Sequence, residues 1–295
     1  MIFDIELVAL VALLYHNSSR GSYMALRQRL IEGELPHDIL ESDNQSDVLY
    51  ERALADVEQW IRAGQRPLSW CDEDYPQQLR EVHDFPPVIF VRGHLVAPDN
   101  GICIVGSRHA SRGAIDATRD IARLVVEEGW TVVSGLAQGI DTAAHTEALS
   151  RNGRTVAIIG NGIDHYYPAQ NRNLQCEIEE YGLVLSQFWP GMRPTKFSFP
   201  MRNAVMSAYG QATIIVSAQE KSGTRHQAKQ AVAHGRPLVV SKQVYESTTW
   251  ARRLVDDPAV LGAVAYSAEQ AVNLAIKMAQ LSIEDLRLLP WHDRT

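Results

Sequence analysis

Two successive strand–turn–helix units between residues 101 and 145 restrict the folds open to this chain more than any other feature. The first begins with an apolar run at 102–105 that ends in Gly-Ser-Arg, and the second with an apolar run at 130–133 that ends in Ser-Gly. Continuous apolar runs of this length are typical of parallel strands covered on both faces. A helical pattern follows each turn, so a right-handed crossover should bring both turns to one edge of a sheet.

The same alternation continues as far as residue 240. Four more apolar runs, separated by loops and helical patterns, are predicted as strands at 155–159, 183–186, 212–216 and 237–240. We therefore predict an α/β fold with a doubly wound, mostly parallel sheet of the extended Rossmann-like type, preceded by a small N-terminal helical domain.

The regions that flank this alternation have a different composition. Apolar residues at helical spacing fill much of the first 64 residues, whereas Pro67, Pro76, Pro86 and Pro87 interrupt the next stretch and favour short extended segments. The predicted division of the chain is a helical domain at 1–64, an extended lead-in packed on the sheet at 65–100, the Rossmann-like domain at 101–242 and a C-terminal helical extension at 243–295.

The turns after the first two strands have the chemistry of an anion site. Gly106 would let a phosphate approach the backbone, the N–H groups at the next helix start would point toward it, and Arg108 can add forked, charge-assisted hydrogen bonds. The patterns GxGxxG at the first turn and GxxxxGK[ST] anywhere are absent, which argues against a dinucleotide enzyme and a P-loop nucleotidase. The candidate residues at these turns are Gly106, Ser107, Arg108, Ser134, Gly135 and Gly139.

Later turns should add polar groups to the same edge of the sheet. Arg172 and Arg202 lie near predicted helix starts, where the helix dipole disfavours a cation by roughly 0.3–1 kcal/mol unless an anion is nearby. The alternative is that both are exposed first-turn residues without a ligand. The further candidates for phosphate or DNA binding are Asn171, Arg172, Arg202, Asn203, Ser222, Gly223 and Thr224.

The formal net charge of −7 is unfavourable for a nucleic-acid partner, but the charges are unevenly distributed. Residues 1–100 include 8 basic and 17 acidic residues, whereas 101–240 include 14 basic and 11 acidic ones. The predicted sheet domain therefore has a slight positive excess and can present a local basic surface.

The three cysteines form no CxxC pair, which argues against a disulfide framework or a cysteine-based metal site and favours a reducing compartment. The apolar run near the N-terminus follows acidic residues and is too short to span a bilayer. We expect a cytoplasmic protein that has no membrane partner, no metal and no cofactor.

Several short motifs follow one another in a recognisable order: GSR at 106–108, SGLAQGID at 134–141, YPAQNR at 167–172, FPMRN at 199–203 and SGT at 222–224. In this order they resemble the DNA-processing protein A family, DprA, also called Smf. The similarity extends over roughly residues 60–240, and the combination is more specific than any single motif.

This resemblance implies a cytoplasmic protein that binds single-stranded DNA, usually as a homodimer, and passes it to a RecA-type recombinase during natural transformation. It implies binding rather than catalysis. By the same resemblance, Arg108 is the phosphate-contacting arginine, Arg172 is the basic residue of the YPxxN-K/R turn, and Arg202 with Asn203 matches part of FPxRN. The aromatic residues available for stacking on bases are Tyr166, Tyr167, Phe197 and Phe199.

The chain departs from the family's pattern at several positions, which marks it as a divergent member. Gln138 stands where the family commonly has an arginine, and the segment after residue 240 lacks the family's PG motif. We expect no winged-helix domain in the C-terminal residues. The other departures are Met201 and Ala204 in place of cations, and Arg225, His226 and Lys229 as additional polar groups.

The alternative function comes from the wider SLOG superfamily, which this kind of fold also resembles. Its members include sensors of nucleotide derivatives and enzymes that process nucleoside monophosphates. In that case a small nucleotide would bind at Gly106, Arg108, Ser134 and Thr224.

An enzymatic version of this alternative requires an acid or a base in the cleft. Asp141 and His145 are four residues apart on one helix face and could act as such or share a metal, and Glu220 is close to the Ser-Gly-Thr turn. The structural interpretation is that Asp141 caps its helix and His145 is satisfied by packing.

Overall fold

The computed structural model describes residues 4–16, 20–43 and 47–281. The ends of the predicted helical domain and of the C-terminal extension, residues 1–3 and 282–295, lie outside the described residues. Nine strands are present in these ranges: β1 Arg66–Ser69, β2 Val88–Gly93, β3 Gly101–Val105, β4 Thr131–Ser134, β5 Thr155–Ile158, β6 Leu183–Ser186, β7 Ala212–Ile215, β8 Leu238–Ser241 and β9 Gly262–Ala265.

The helices before residue 64 precede all of the strands, and those after residue 100 alternate with strands. They are α1 Ile5–His16, α2 Arg20–Ile31, α3 Pro36–Ser42, α4 Asp47–Arg62, α5 Gln77–Arg80, α6 Arg112–Glu127, α7 Ile140–Ser150, α8 Arg172–Tyr181, α9 Ser198–Tyr209, α10 Thr224–Ala233, α11 Lys242–Ser247, α12 Thr249–Val255 and α13 Ala268–Gln280, with a short 3₁₀ turn at Ala169–Asn171. No described helix is both long enough and apolar enough to cross a membrane.

All nine strands form one sheet in the order β1-β2-β6-β5-β4-β3-β7-β8-β9. The neighbours from β6 to β9 pair in parallel, and β2 joins β6 and β1 in antiparallel register. The strand order reverses between β3 and β7, because β4 to β6 extend the sheet on one side of β3 and β7 to β9 on the other. The predicted doubly wound α/β fold is thereby confirmed, with each of the six predicted strands present.

Strand β3 shows how the sheet separates two apolar layers. Ile102 and Ile104 pack into a cluster with α6 and α13, whereas Cys103 and Val105 pack into a cluster that reaches α1, α4 and α9. Side chains alternate between the faces of a strand, so an unbroken apolar run is what burial on both faces requires.

The N-terminal helices share a continuous core with the sheet. Helix α1 is buried from Leu7 to Leu14 and belongs to the same apolar cluster as β1 and β2. A helix that is apolar on all sides has to be covered by other elements, which here are α3, α4 and the antiparallel edge of the sheet. The boundaries at 64, 100 and 242 remain predictions.

The structure differs from the predicted helical extension at 243–295, because it contains β9 as well as three helices. β9 pairs in parallel with β8 and extends the sheet by one strand. Its sequence, Gly-Ala-Val-Ala, is short and has little β-branched character, so its apolar pattern is weak.

Candidate functional site

Two adjoining clefts lie at the carboxyl edge of the parallel strands. The first, of about 410 Å³, is lined by residues that follow β3 and β7, and the second, of about 400 Å³, by residues that follow β4 and β5. Arg108, Phe199 and Arg202 line both clefts. The first cleft lies where the strand order reverses, which is where open α/β sheets bind their ligands.

Arg202 places a buried positive charge between the two clefts. Arg202 is 5% exposed. Its Nη1 donates to the carbonyl oxygens of Gly135 and Ile158, the latter at 2.8 Å, and its Nε donates to Asn203 Oδ1 at 3.1 Å. All of these acceptors are neutral. Burial lowers the pKa of Arg202, and the Asp141 carboxyl opposes that shift. A desolvated guanidinium whose hydrogen-bond acceptors are neutral favours an anion in the clefts beside it.

Asp141 is an acidic residue that lines the first cleft together with Arg202. It is 5% exposed, and its Oδ2 accepts a hydrogen bond from the Ala137 N–H at 3.3 Å. Burial raises the pKa of Asp141, and the Arg202 guanidinium opposes the shift. Its carboxyl therefore holds the turn after β4. It does not cap its own helix as the structural interpretation predicted, because the cap position of α7 is Gly139 and no side chain caps it.

Exposed cations lie against aromatic rings around the clefts. The Arg108 guanidinium carbon is 5.3 Å from the centroid of the Phe199 ring, and that of Arg172 is 5.0 Å from the Tyr166 ring. Neither guanidinium has a hydrogen bond or ion pair to any described residue. We call this surface the crest, and its members are Arg108, Tyr166, Tyr167, Arg172, Lys196, Phe197 and Phe199.

The rings of the crest are accessible from solvent. Tyr167 is 40% exposed and Phe197 is 70% exposed, and the ring centroids of Tyr167 and Phe199 are 5.7 Å apart. Lys196 Nζ lies 5.0 Å from the centroid of the Phe197 ring. Cation–π contacts of this kind hold side chains of both types together and leave ring faces and donors available to a ligand.

Three of the four candidate glycines are needed for close packing within the protein itself. A Cβ on Gly106 would overlap Ile140, one on Gly135 would overlap the Arg202 guanidinium, and one on Gly139 would overlap the Ser107 carbonyl. The space beside Gly106, which was predicted to admit a phosphate, is thus filled by α7. These glycines fix the turns, and the anion-binding donors come from side chains.

Ser134 and Asn171 are also structural. Ser134 is fully buried and its hydroxyl donates to the Ile104 carbonyl at 2.7 Å. Contrary to the prediction, this hydroxyl is therefore not presented to a ligand. Asn171 Nδ2 donates to the Leu136 carbonyl at 2.9 Å and to Thr142 Oγ1 at 2.8 Å. Leu136 has φ +58°, a conformation that is strained for a side chain of this type, and the Asn171 amide holds it there.

Most of the remaining candidates line the first cleft. Ser222, Gly223 and Thr224 do so at the start of α10, where the Thr224 N–H donates to Ser222 Oγ at 3.0 Å. Ser107 closes its own turn, because its N–H donates to Ser217 Oγ at 3.2 Å and its Oγ accepts from the His109 N–H at 3.1 Å. Asn203 lines the same cleft.

The structure does not bring the possible acid–base residues together. His145 is fully buried and its Nδ1 lies 2.7 Å from Thr155 Oγ1, whose hydroxyl donates to the Val132 carbonyl at 2.9 Å. Burial lowers the pKa of His145 to about 3. His145 lines neither cleft, and its buried Nε2 has no hydrogen-bond partner among the described residues, so the predicted satisfaction by packing is incomplete.

Glu220 is exposed and caps α12. It accepts a hydrogen bond from the Thr249 N–H at 2.7 Å, and the hydrogen bonds from Thr249 lower its pKa. It does not line either cleft. Lys221 and Gln227 are among the cleft residues that were not predicted, although Lys221 immediately precedes the Ser-Gly-Thr turn and could have been found there.

The model of the family "DNA recombination-mediator protein A" matches residues 66–272. The chain belongs to this family. Among the family's curated proteins, "Protein Smf" of Synechocystis is 40% identical over 165 residues, which cover 54% of this chain and 42% of that protein. The "DNA processing protein DprA" of Streptococcus pneumoniae is 40% identical over 172 residues, covering 58% of this chain and 60% of that protein. The Bacillus subtilis DprA is 31% identical over 197 residues, covering 66% of each chain.

The matched region thus spans between 42% and 66% of these family members. Two solved structures share the fold over most of this chain. The X-ray structure of DprA from S. pneumoniae has a TM-score of 0.70 at 26% identity and covers 91% of this chain and 95% of that one. A structure of DprA from Helicobacter pylori, described for its single-stranded DNA binding mode, has a TM-score of 0.63 at 26% identity and covers 72% of this chain and 96% of that one.

Proposed function

We propose that this protein binds single-stranded DNA along the crest and takes part in DNA processing during natural transformation. In this role it passes the strand to a RecA-type recombinase, acts as a homodimer in the cytoplasm and catalyses no reaction. One observation carries the DNA-binding part: exposed cations alternate with accessible aromatic rings over two clefts that flank a buried arginine.

The crest matches the two demands of a single strand. Its phosphates need cations, which Arg108 and Arg202 supply in the clefts and Arg172 supplies beside Tyr166. Its unpaired bases need flat apolar surfaces, which Tyr167 and Phe199 supply. Stacking on an aromatic ring contributes about 1–3 kcal/mol per base and tolerates any sequence. The arrangement therefore favours binding with little dependence on sequence and a strong dependence on salt.

The relatives support the biological context of the proposal. Proteins from S. pneumoniae and B. subtilis are DNA processing proteins by name, and the H. pylori protein binds single-stranded DNA. The recombinase partner and the homodimer are proposed from family membership alone.

Replacing Arg108 with alanine tests the proposal. A labelled oligo-dT titrated at several salt concentrations should give a plot of log affinity against log salt whose slope is about −2 or steeper, because three cations each contribute roughly 0.7. Arg108→Ala should make the slope shallower by roughly 0.7 and weaken binding at low salt.

The matched control is Arg151→Ala. Arg151 follows the last residue of α7, pairs with Glu147 at 2.8 Å and lies outside both clefts. Its replacement should leave the slope unchanged. Equal effects of the two variants would exclude the crest as the phosphate-binding surface.

The second candidate function is the binding of a small nucleotide in the first cleft. The observation that favours it is the volume of this cleft, about 410 Å³, which is within the usual range for small-molecule sites. Thr224 and Arg202 are in its lining. Binding of a mononucleotide should raise the melting temperature. That result together with a flat salt response to oligo-dT would favour this function over DNA binding.

A further inference from the structure

We propose that His83, Asp84 and His234 form a binding site for a zinc ion, separate from the crest. His83 and Asp84 lie in the lead-in between α5 and β2, and His234 caps the C-terminal end of α10. One potential ligand atom from each residue lies within 4.8 Å of the other two. Two imidazoles and one carboxylate are a ligand set that suits Zn²⁺, with a fourth position left for water.

The hydrogen bonds around His234 are compatible with the tautomer that can bind a metal. Ser207 Oγ lies 3.1 Å from the Ala204 carbonyl and 2.6 Å from His234 Nδ1, and it accepts from an Nδ1–H when its own proton goes to that carbonyl. In that tautomer the lone pair is on Nε2, which lies 2.7 Å from Asp84 Oδ1 and would bind the metal.

Ser207 also supplies the outer contact that metal-binding histidines use. A histidine ligand commonly donates its other ring N–H to an oxygen atom, which fixes both the ring orientation and the tautomer. The His234 side chain is fully buried, so its orientation is fixed before any metal arrives. Tetrahedral zinc needs Zn–N distances of about 2.0–2.1 Å, which small rotations of Asp84 and His83 would provide.

His83 gives the metal a way in from solvent. It is exposed, its ring centroid is 5.9 Å from that of His234, and it has no hydrogen bond to any residue in the described ranges. The backbone beside it is fixed, because the Arg27 guanidinium donates to the carbonyls of Asp84 at 3.0 Å and Phe85 at 2.7 Å. A side chain that is free to turn, on a backbone that is held, can complete a metal site.

The surrounding charges leave the Asp84 carboxylate to balance the metal. The nearby Glu81 is paired with Arg236 at 2.7 Å, and Arg27 contributes a positive charge on the other side of Asp84. A zinc ion held by one carboxylate and two neutral imidazoles would join the lead-in to the end of α10, segments 150 residues apart in the chain. Its main expected effect is on stability, and it does not depend on DNA binding.

Zinc added to the metal-free protein tests the proposal. Competition with a chromophoric chelator should show one equivalent of zinc bound per chain, and a saturating excess should raise the melting temperature by about 5 °C or more. His83→Ala should melt at the wild-type temperature without zinc, because the side chain is exposed, and should lose at least tenfold in zinc affinity. Asp84→Asn, which can still accept a hydrogen bond from His234, should show the same loss.

The control is His94→Ala, an exposed histidine outside the cluster, which should bind zinc as the wild type does. No zinc-dependent rise in the wild type would show that His234 and Asp84 form a hydrogen-bonded pair without a metal, and would overturn the proposal. A rise that persists in both His83→Ala and Asp84→Asn would overturn it as well, because the zinc would then be bound elsewhere.

Discussion

Replacing Arg202 with methionine is expected to lower the free energy of unfolding by about 2–4 kcal/mol and to abolish binding of oligo-dT at physiological salt. The stability loss follows because the carbonyls of Gly135 and Ile158 lose their buried donor, and an unsatisfied buried acceptor costs about 1–3 kcal/mol. Binding is lost because Arg202 is the one buried cation, among the described residues, that lines both clefts. Urea denaturation measures the first effect and fluorescence anisotropy the second.

Arg202→Lys separates the two effects of this residue. Lysine keeps the charge but lacks the forked donors that reach two carbonyls at once, so stability should fall while part of the salt dependence of DNA binding remains. A methionine variant that is as stable as the wild type and binds oligo-dT equally well would exclude Arg202 from the binding surface.

Replacing Gly139 with alanine is expected to destabilise the protein by about 3 kcal/mol. Gly139 has φ +80° and ψ −118°, a conformation that side chains disfavour, and its new Cβ would overlap the Ser107 carbonyl. That carbonyl accepts from the Ile140 N–H at 3.3 Å, so the strain should move the turn that carries Arg108 and weaken DNA binding too. Urea denaturation followed by circular dichroism measures the loss.

Gly223→Ala is the matched control on the same edge of the sheet. Gly223 has φ −59°, and a Cβ added there would point into open space with no contact within 4 Å, so the change should stay within about 0.5 kcal/mol. Equal effects of the two substitutions would show that the Gly139 backbone relaxes freely and does not hold the turn.

Much of the fold was predictable because it depends on local patterns. An apolar run buried on both faces predicts a parallel strand wherever it occurs, and β3 at Gly101–Val105 and β6 at Leu183–Ser186 follow this pattern closely. Strand β9 was not predicted, because it consists of four residues with mostly small side chains. Its place in the sheet depends on pairing with β8 rather than on its own composition.

The site was predictable only in part, because a motif does not reveal which way a polar group points. Arg108 and Arg172 are exposed on the crest, whereas the Ser134 hydroxyl and the Asn171 amide turn inward to main-chain carbonyls. Those carbonyls come from other segments, so the pairing depends on three-dimensional position. For the same reason, the sequence did not reveal the contact between His234 and Asp84.

Photocrosslinking tests the central claim, that a single strand lies on the crest, most directly. An oligo-dT carrying 5-iodouracil at one position forms covalent links to aromatic side chains that stack on the modified base, and mass spectrometry of the digested complex identifies them. Tyr181 and Tyr266 are internal controls, because they are 63% and 66% exposed, more than Tyr167 at 40%, and lie outside both clefts. We predict crosslinks in the peptides that contain Tyr166, Tyr167, Phe197 or Phe199. Crosslinks at Tyr181 or Tyr266, with none on the crest, would contradict the account.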